Sequence, residues 1–171
     1  WLTTRSLDGT EVATLPVVLD ADADDYASDP LLAFDMTRVR AARLGDLLFE
    51  RGRPLAALVE YRKAGGEDGP PSPLMLAREA KCLAALGRLD EALSVTQRGL
   101  RLYPEFTLLW VTHGRLLDEL NRPGPALKAW KSAYDLNPFD TEVQQALVDG
   151  YTASGRAEAA AKHAEHLHIL T

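Results

Sequence analysis

A chain of 171 residues with 46% apolar side chains and a net charge of −6 has material for one globular domain, or one domain with an appendage. No apolar run approaches the roughly 18 residues of a transmembrane helix, and a single cysteine, Cys82, excludes an internal disulfide framework. Residues 1–36 hold one Arg against eight carboxylates, a net of −7, while residues 37–171 hold 18 basic and 17 acidic side chains, a net of +1. A near-neutral body carries no electrostatic footprint for nucleic acid.

The chain starts at Trp1 rather than Met, so a removed leader or an upstream domain is expected ahead of it; both remain open. Residues 1–19, WLTTRSLDGTEVATLPVVL, read as an extended β-hairpin segment. Asp8-Gly9 is the dipeptide that a two-residue hairpin turn prefers, and it separates strands expected at Leu2–Leu7 and Thr10–Val18. Pro16 makes the second strand an edge. A lone hairpin is marginal in water, so this one is expected to pair with another domain or chain, and the sequence reads as a piece of a longer polypeptide. Leu15, Val17 and Leu19 are expected to be covered.

Residues 20–36 are an acidic linker. Asp20, Asp22 and Asp24 have the alternate spacing of a calcium loop's first ligands, but Asp25 stands where that loop needs Gly and Leu31 where it needs Glu, so the segment reads as solvated rather than metal-binding. Ser28 or Asp29 is a candidate helix cap, with Pro30 in the first turn. From Leu31 onward the apolar pattern is helical. It predicts helices near Thr37–Glu50, Pro54–Ala64, Pro73–Leu86, Leu89–Leu102, Thr107–Leu120, Pro123–Leu136, Thr141–Ser154 and Ala157–Leu167. Gly52, Gly87, Asn121 and Gly155 follow alternate helices, where a left-handed C-cap suits Gly or Asn.

These helices repeat in pairs. In residues 107–140, Trp110, Gly114 and Leu117 share one face, Ala126, Trp130 and Ala133 share another, and Pro138 closes the unit. The Ala126 slot recurs as Ala92 and Ala160 at 34-residue steps, and as Ala57 after a one-residue slip; the Pro138 slot recurs as Pro104. The unit at 38–71 carries Ala41, Leu44, Gly45, Leu48, Ala57, Tyr61 and Ala64, with Pro70 one residue late. The unit at 73–106 carries Leu76, Ala80, Leu83, Ala92 and Pro104, and departs at Glu79, Thr96 and Gly99. The third departs at His113. The last, 141–171, carries Leu147, Tyr151, Gly155 and Ala160, and departs at Gln144, Val148 and Ala164. A helix pair repeated with this period, small residues where helices meet and aromatics between them, resembles the tetratricopeptide repeat (TPR) family of bacterial type, over about four-fifths of the chain.

The resemblance implies an all-α solenoid, a right-handed superhelix of antiparallel helix pairs spanning residues 37–171, with the N-terminal hairpin as an appendage. It also implies a non-catalytic scaffold or adaptor that binds a partner peptide or subunit in a concave groove lined by the first helix of each pair. In the family, the residue after the small slot faces that groove; here it is Asp46, Lys81, Arg115 and Asp149. Arg43 and Arg78 lie one turn away, with Leu74, Ala77, Leu108 and Val111 as apolar flanks. Arg43, Arg78, Lys81 and Arg115 make a basic strip suited to an acidic or carboxylate-bearing segment, for which Asp20–Asp29 is the chain's own candidate. The competing reading is a solvated face whose arginines pair with Glu79 or Asp118. The slots with which some relatives clamp a chaperone C-terminus hold Ala42, Asp46, Leu108 and Thr112, and only Arg78 is a strong donor, so that assignment is rejected. An alternative function is the C-terminal TPR part of a bacterial secreted or envelope metallopeptidase with its catalytic domain upstream.

No catalytic or cofactor constellation is legible. There is no phosphate-binding Gly-rich loop, no His-Glu-x-x-His and no Cys pair. The terminal KHAEHLH puts His163 and His166 three apart on a helix, which reads as the polar face of a capping helix before it reads as a metal site. His113 reads as a satisfied core histidine and Cys82 as a small buried residue. The expected setting is a soluble bacterial protein of cytoplasm or periplasm.

Overall fold

The computed structural model describes residues 2–5, 11–15, 35–66 and 70–170. The turn at Asp8-Gly9, the linker carboxylates, the Ser28/Asp29 cap and the coverage of Val17 and Leu19 lie outside these residues. The backbone of Leu2–Arg5 (β1) pairs antiparallel with that of Glu11–Leu15 (β2), Leu2 opposite Leu15.

Eight helices follow among the described residues: Met36–Glu50 (α1), Pro54–Gly65 (α2), Pro73–Ala85 (α3), Leu89–Leu102 (α4), Thr107–Glu119 (α5), Pro123–Leu136 (α6), Thr141–Ala153 (α7) and Ala157–Leu170 (α8). Their starts follow capping chemistry. The Asp35 carboxylate accepts from Thr37 N at 2.9 Å and Arg38 N at 3.2 Å, the Ser72 hydroxyl from Met75 N at 3.3 Å, and the Asp140 carboxylate from Glu142 N at 3.0 Å. Each cap meets donors that the first helical turn leaves without intrahelical partners. Pro73 follows the Ser72 cap, and Pro54 and Pro123 open two more helices, where no amide is needed.

The turn inside each pair is the same object four times. Gly52, Gly87, Asn121 and Gly155 have φ of 69°, 73°, 54° and 71°. The next residue is always Arg, and its amide reaches back to the end of the first helix: Arg53 to Leu48 O, Arg88 to Leu83 O, Arg122 to Leu117 O and Arg156 to Tyr151 O, at 2.8–2.9 Å. Asn121 is the one residue with a Cβ at this left-handed position, which Asn tolerates better than other such residues.

Pairing and stacking then follow from side-chain size. α1 packs on α2, α3 on α4, α5 on α6 and α7 on α8; α2, α4 and α6 each pack on the next pair, and α3 also meets α5. One buried cluster runs from Ala42 through Leu83 and Trp130 to Leu147, the continuous core of stacked units that cannot bury their faces alone. A Cβ on Gly45 would lie 2.6 Å from the Tyr61 ring, and one on Gly114 would lie 2.7 Å from the Trp130 indole. Both rings are buried, and each ends in a hydrogen bond: Tyr61 Oη donates to Asp46 at 2.6 Å and Trp130 Nε1 to Asp118 at 2.7 Å. Leu44 is 45% exposed and therefore lies outside the core, although it occupies a repeat slot.

Several departures from the repeat are held by polar links, and Thr96 and His113 by each other. Glu79, at 9% exposure, accepts from Arg62 of the preceding unit at 2.8 Å. Thr96 replaces the aromatic of the second unit, and its hydroxyl lies 2.8 Å from Nδ1 of His113, the departure of the third. Gln144 lies 2.8 Å from His163 Nδ1 and donates to Pro138 O at 2.8 Å. Gly99 is required because Leu109 of α5 would meet its Cβ at 2.9 Å.

Candidate functional site

The face made by the first helices, α1, α3, α5 and α7, carries the charged strip. Arg78 of α3 forms an ion pair with Asp46 of α1, and its guanidinium lies 5.8 Å from the Tyr61 ring centre. Asp46 thus joins two units and receives the Tyr61 phenol as well. Burial and then the Asp46 hydrogen bond push the Tyr61 phenol far above its ordinary range, so it stays protonated as the donor. Lys81 of α3 places Nζ 4.9 Å from the ring centre of Phe49, a cation–π contact reaching back to α1. Arg115 of α5 grips Glu142 of α7 through two parallel hydrogen bonds, which raise its pKa further above the ordinary arginine value.

Arg78 and Arg115 thus pair with Asp46 and Glu142. Glu79 is held by Arg62, and Asp118 accepts the Trp130 indole. Both ion pairs on this face bridge successive units, so they stiffen the stack as well as charging it. Asp149 is exposed and accepts from Gln145 at 2.9 Å, while Arg43 is half-buried.

The apolar flanks are placed differently. Leu108 is 39% exposed, but Leu74, Ala77 and Val111 lie at 4%, 2% and 4%. α3 is central to the stack, with α2, α4 and α5 against it, so its apolar side chains form the packed floor beneath the charges. Ala42 is fully buried, and the Thr112 hydroxyl is bonded to Leu108 O at 2.7 Å. Leu108, Lys81, Arg115 and Asp149 are the exposed members of the strip.

Cys82 is fully buried, and burial pushes its thiol up to about 12, away from a reactive thiolate. Among the described residues no three His, Cys, Asp or Glu side chains are grouped to hold a metal ion. His163 does not lie on a polar outer face: it stacks on Tyr151 with ring centres 5.5 Å apart and meets Tyr134 edge-on at 5.0 Å. Burial, with a smaller effect of His166, holds it below the ordinary histidine range. No helix among the described residues is long and apolar enough to cross a membrane.

No family model and no curated protein matches the sequence. Solved structures do match its fold. A crystal structure of MamA superposes with a TM-score of 0.67 at 15% identity, over 78% of this chain and 77% of that one. The first TPR of Spaghetti (RPAP3), bound to the HSP90 peptide SRMEEVD, superposes at 0.64 with 19% identity, over 70% and 96%. A tetratricopeptide repeat protein from Parabacteroides merdae superposes at 0.67 with 16% identity, over 77% and 52%. At such identities the likeness is one of fold, and the fold is that of a TPR array.

Proposed function

We propose that this TPR array is a non-catalytic protein-interaction scaffold whose first-helix face holds an acidic or carboxylate-bearing segment of a partner. The observation that carries the reading is the state of the charged strip. Arg78 and Arg115 are fixed by carboxylates of neighbouring units, and Lys81 and Leu108 lie exposed between those fixed points. A strip whose geometry is set by inter-unit ion pairs receives an extended ligand with little further ordering of its own side chains. Arg43, Asp46, Arg78, Lys81, Arg115 and Asp149 form the polar line of the site, Leu108 its exposed apolar contact, and Leu74, Ala77 and Val111 the packed base. The first TPR of Spaghetti (RPAP3), similar in fold, is bound to the HSP90 peptide SRMEEVD, which supports a peptide partner. Residues 37–171 act as the repeat domain, residues 20–36 as an acidic linker, and the hairpin of residues 1–19 as a contact to another domain or chain.

The test is a partner captured by cross-linking and mass spectrometry, then titrated calorimetrically against the chain and the double reversal Lys81→Glu with Arg115→Glu. Binding weakens with salt in the intact chain, because such charges are screened over about 8–10 Å at physiological ionic strength. Unchanged affinity of the double reversal at low salt refutes the site. Removal of residues 1–19 leaves the helical signal intact and alters oligomeric state or partner retention. Loss of the helical signal would instead make the hairpin part of the array's core.

A further inference from the structure

Half a turn round α5 from Leu108, Thr112 and Arg115 lies a second, unassigned surface. Trp110, His113 and Leu117 follow one another at helical spacing and form the floor of an open cleft of about 400 Å³, walled by Leu93 and Gln97 of α4 and by Pro125, Lys128 and Ser132 of α6. Arg122, at the turn before α6, closes one end. None of the lining residues is acidic. Arg122 and Lys128 are exposed and make no ion pair with any described residue, unlike Arg78 and Arg115 on the opposite face.

The floor is preorganised. Trp110 Nε1 donates to Pro104 O at 2.7 Å, and its ring meets His113 edge-on at 6.5 Å. The Thr96 hydroxyl lies 2.9 Å from Leu93 O and 2.8 Å from His113 Nδ1, which holds the imidazole in place. His113 Nε2 has no hydrogen-bond partner among the described residues. Burial favours the neutral ring. The cleft thus offers an aromatic floor, a ring nitrogen open to a hydrogen bond and two cations at its rim.

We infer that this outer cleft is a second protein-docking site, specific for a short peptide segment that carries an apolar side chain flanked by carboxylates. The apolar side chain lies on Trp110, a backbone peptide group of the segment hydrogen-bonds to His113 Nε2, and its carboxylates meet Arg122 and Lys128. A hydrogen-bonding backbone beside an apolar group and carboxylates is what selects a peptide over a free fatty or aromatic acid. The site is independent of the first-helix face, and a partner can occupy both.

The experiment pans a random heptapeptide phage library against the full chain and measures the recovered peptides by calorimetry and by NMR of the Trp110 indole and His113 ring. Recovered peptides combine Asp or Glu with an aromatic or aliphatic residue and shift both ring signals. The reversal Arg122→Glu with Lys128→Glu weakens them at least about tenfold at low salt, since each replacement exchanges attraction for repulsion at the rim. Arg122→Gln with Lys128→Gln weakens them in the same direction by less. Lys81→Glu with Arg115→Glu leaves them within about twofold. Peptides without carboxylates, or peptides lost on reversal of Lys81 and Arg115 but not of Arg122 and Lys128, overturn the inference while leaving the first-helix site standing. Indole-3-acetate shifting the Trp110 signal when no peptide is recovered overturns it too, as it identifies a small-molecule pocket.

Discussion

The contact between Gly114 and Trp130 predicts a change of sign. In the intact chain, Gly114→Ala places a methyl group 2.7 Å from indole Cε2 and 2.9 Å from Cδ2. The ring must move by several tenths of an ångström, yet it is 4% exposed and tied at 2.7 Å to Asp118. Overpacking of this kind costs about 1–3 kcal/mol, while replacing a mid-helix Gly by Ala returns about 0.8–1 kcal/mol of helix propensity. The sum is a destabilisation of roughly 0–2 kcal/mol. Trp130→Ala alone removes a buried indole and costs about 3–5 kcal/mol. With the indole gone, nothing opposes the new methyl group, and Gly114→Ala should then stabilise by up to about 1 kcal/mol. The coupling between the two positions, on the order of 1–3 kcal/mol, is read from a double-mutant cycle in urea followed by circular dichroism. Gly114→Ala having the same sign and size in both backgrounds refutes the close approach. A shift of only a degree or two in melting temperature for Trp130→Ala would refute the repeat register itself.

Three further outcomes follow from the polar links. Arg62→Ala strands a carboxylate at 9% exposure and costs about 1–3 kcal/mol in urea melts, whereas Glu79→Leu, which restores the residue usual in the slot, is neutral or stabilising because the buried charge leaves with its partner's role. His113 and His163 both titrate below the ordinary histidine value when folded, so the unfolded chain binds protons first as pH falls. Their contribution to stability is present above about pH 6.5 and is lost below it, as protonation draws the chain toward the unfolded state. Melting temperatures at successive pH values show this slope, and His113→Leu should flatten it; an unchanged slope in that variant refutes the assignment. Cys82 should resist maleimide labelling in the folded chain and label only as fast as the array opens; rapid native labelling contradicts its burial.

The helix pairs were legible because the signals for them are local and repeated. Period, proline openings and the left-handed residues at positions 52, 87, 121 and 155 located the turns, and helix bounds came out within a few residues. What the sequence withheld is pairwise. Glu79, Thr96, His113 and Gln144 each read as an isolated lapse from the repeat. Their partners are 17 residues away for Arg62 with Glu79 and Thr96 with His113, and 19 for Gln144 with His163. Half a repeat is the separation that brings neighbouring helices together across a seam, so two lapses at that spacing are themselves a signal. The basic strip was legible as residue types and illegible as charges. Asp46 and Arg78 stand 32 residues apart and Arg115 and Glu142 27 apart, and neither spacing follows from helix periodicity alone. The burial of Leu74 and Ala77 depends on how many helices crowd α3, and that of Val111 on the packing of α5, both tertiary facts.

The seam links have a consequence for the order of the units. A rearrangement that added or removed a whole unit would preserve the period. Here the second unit supplies Glu79 to the unit before it and Thr96 to the unit after it. Excising that unit brings Arg62 against His113, two groups of basic character, and duplicating it sets Thr96 against a second copy of Glu79. Either event keeps every small residue, aromatic and turn in register and still leaves a mismatched polar group in the core. The order of the units is thus set by these pairings as well as by the repeat, so the second unit is not interchangeable with its neighbours.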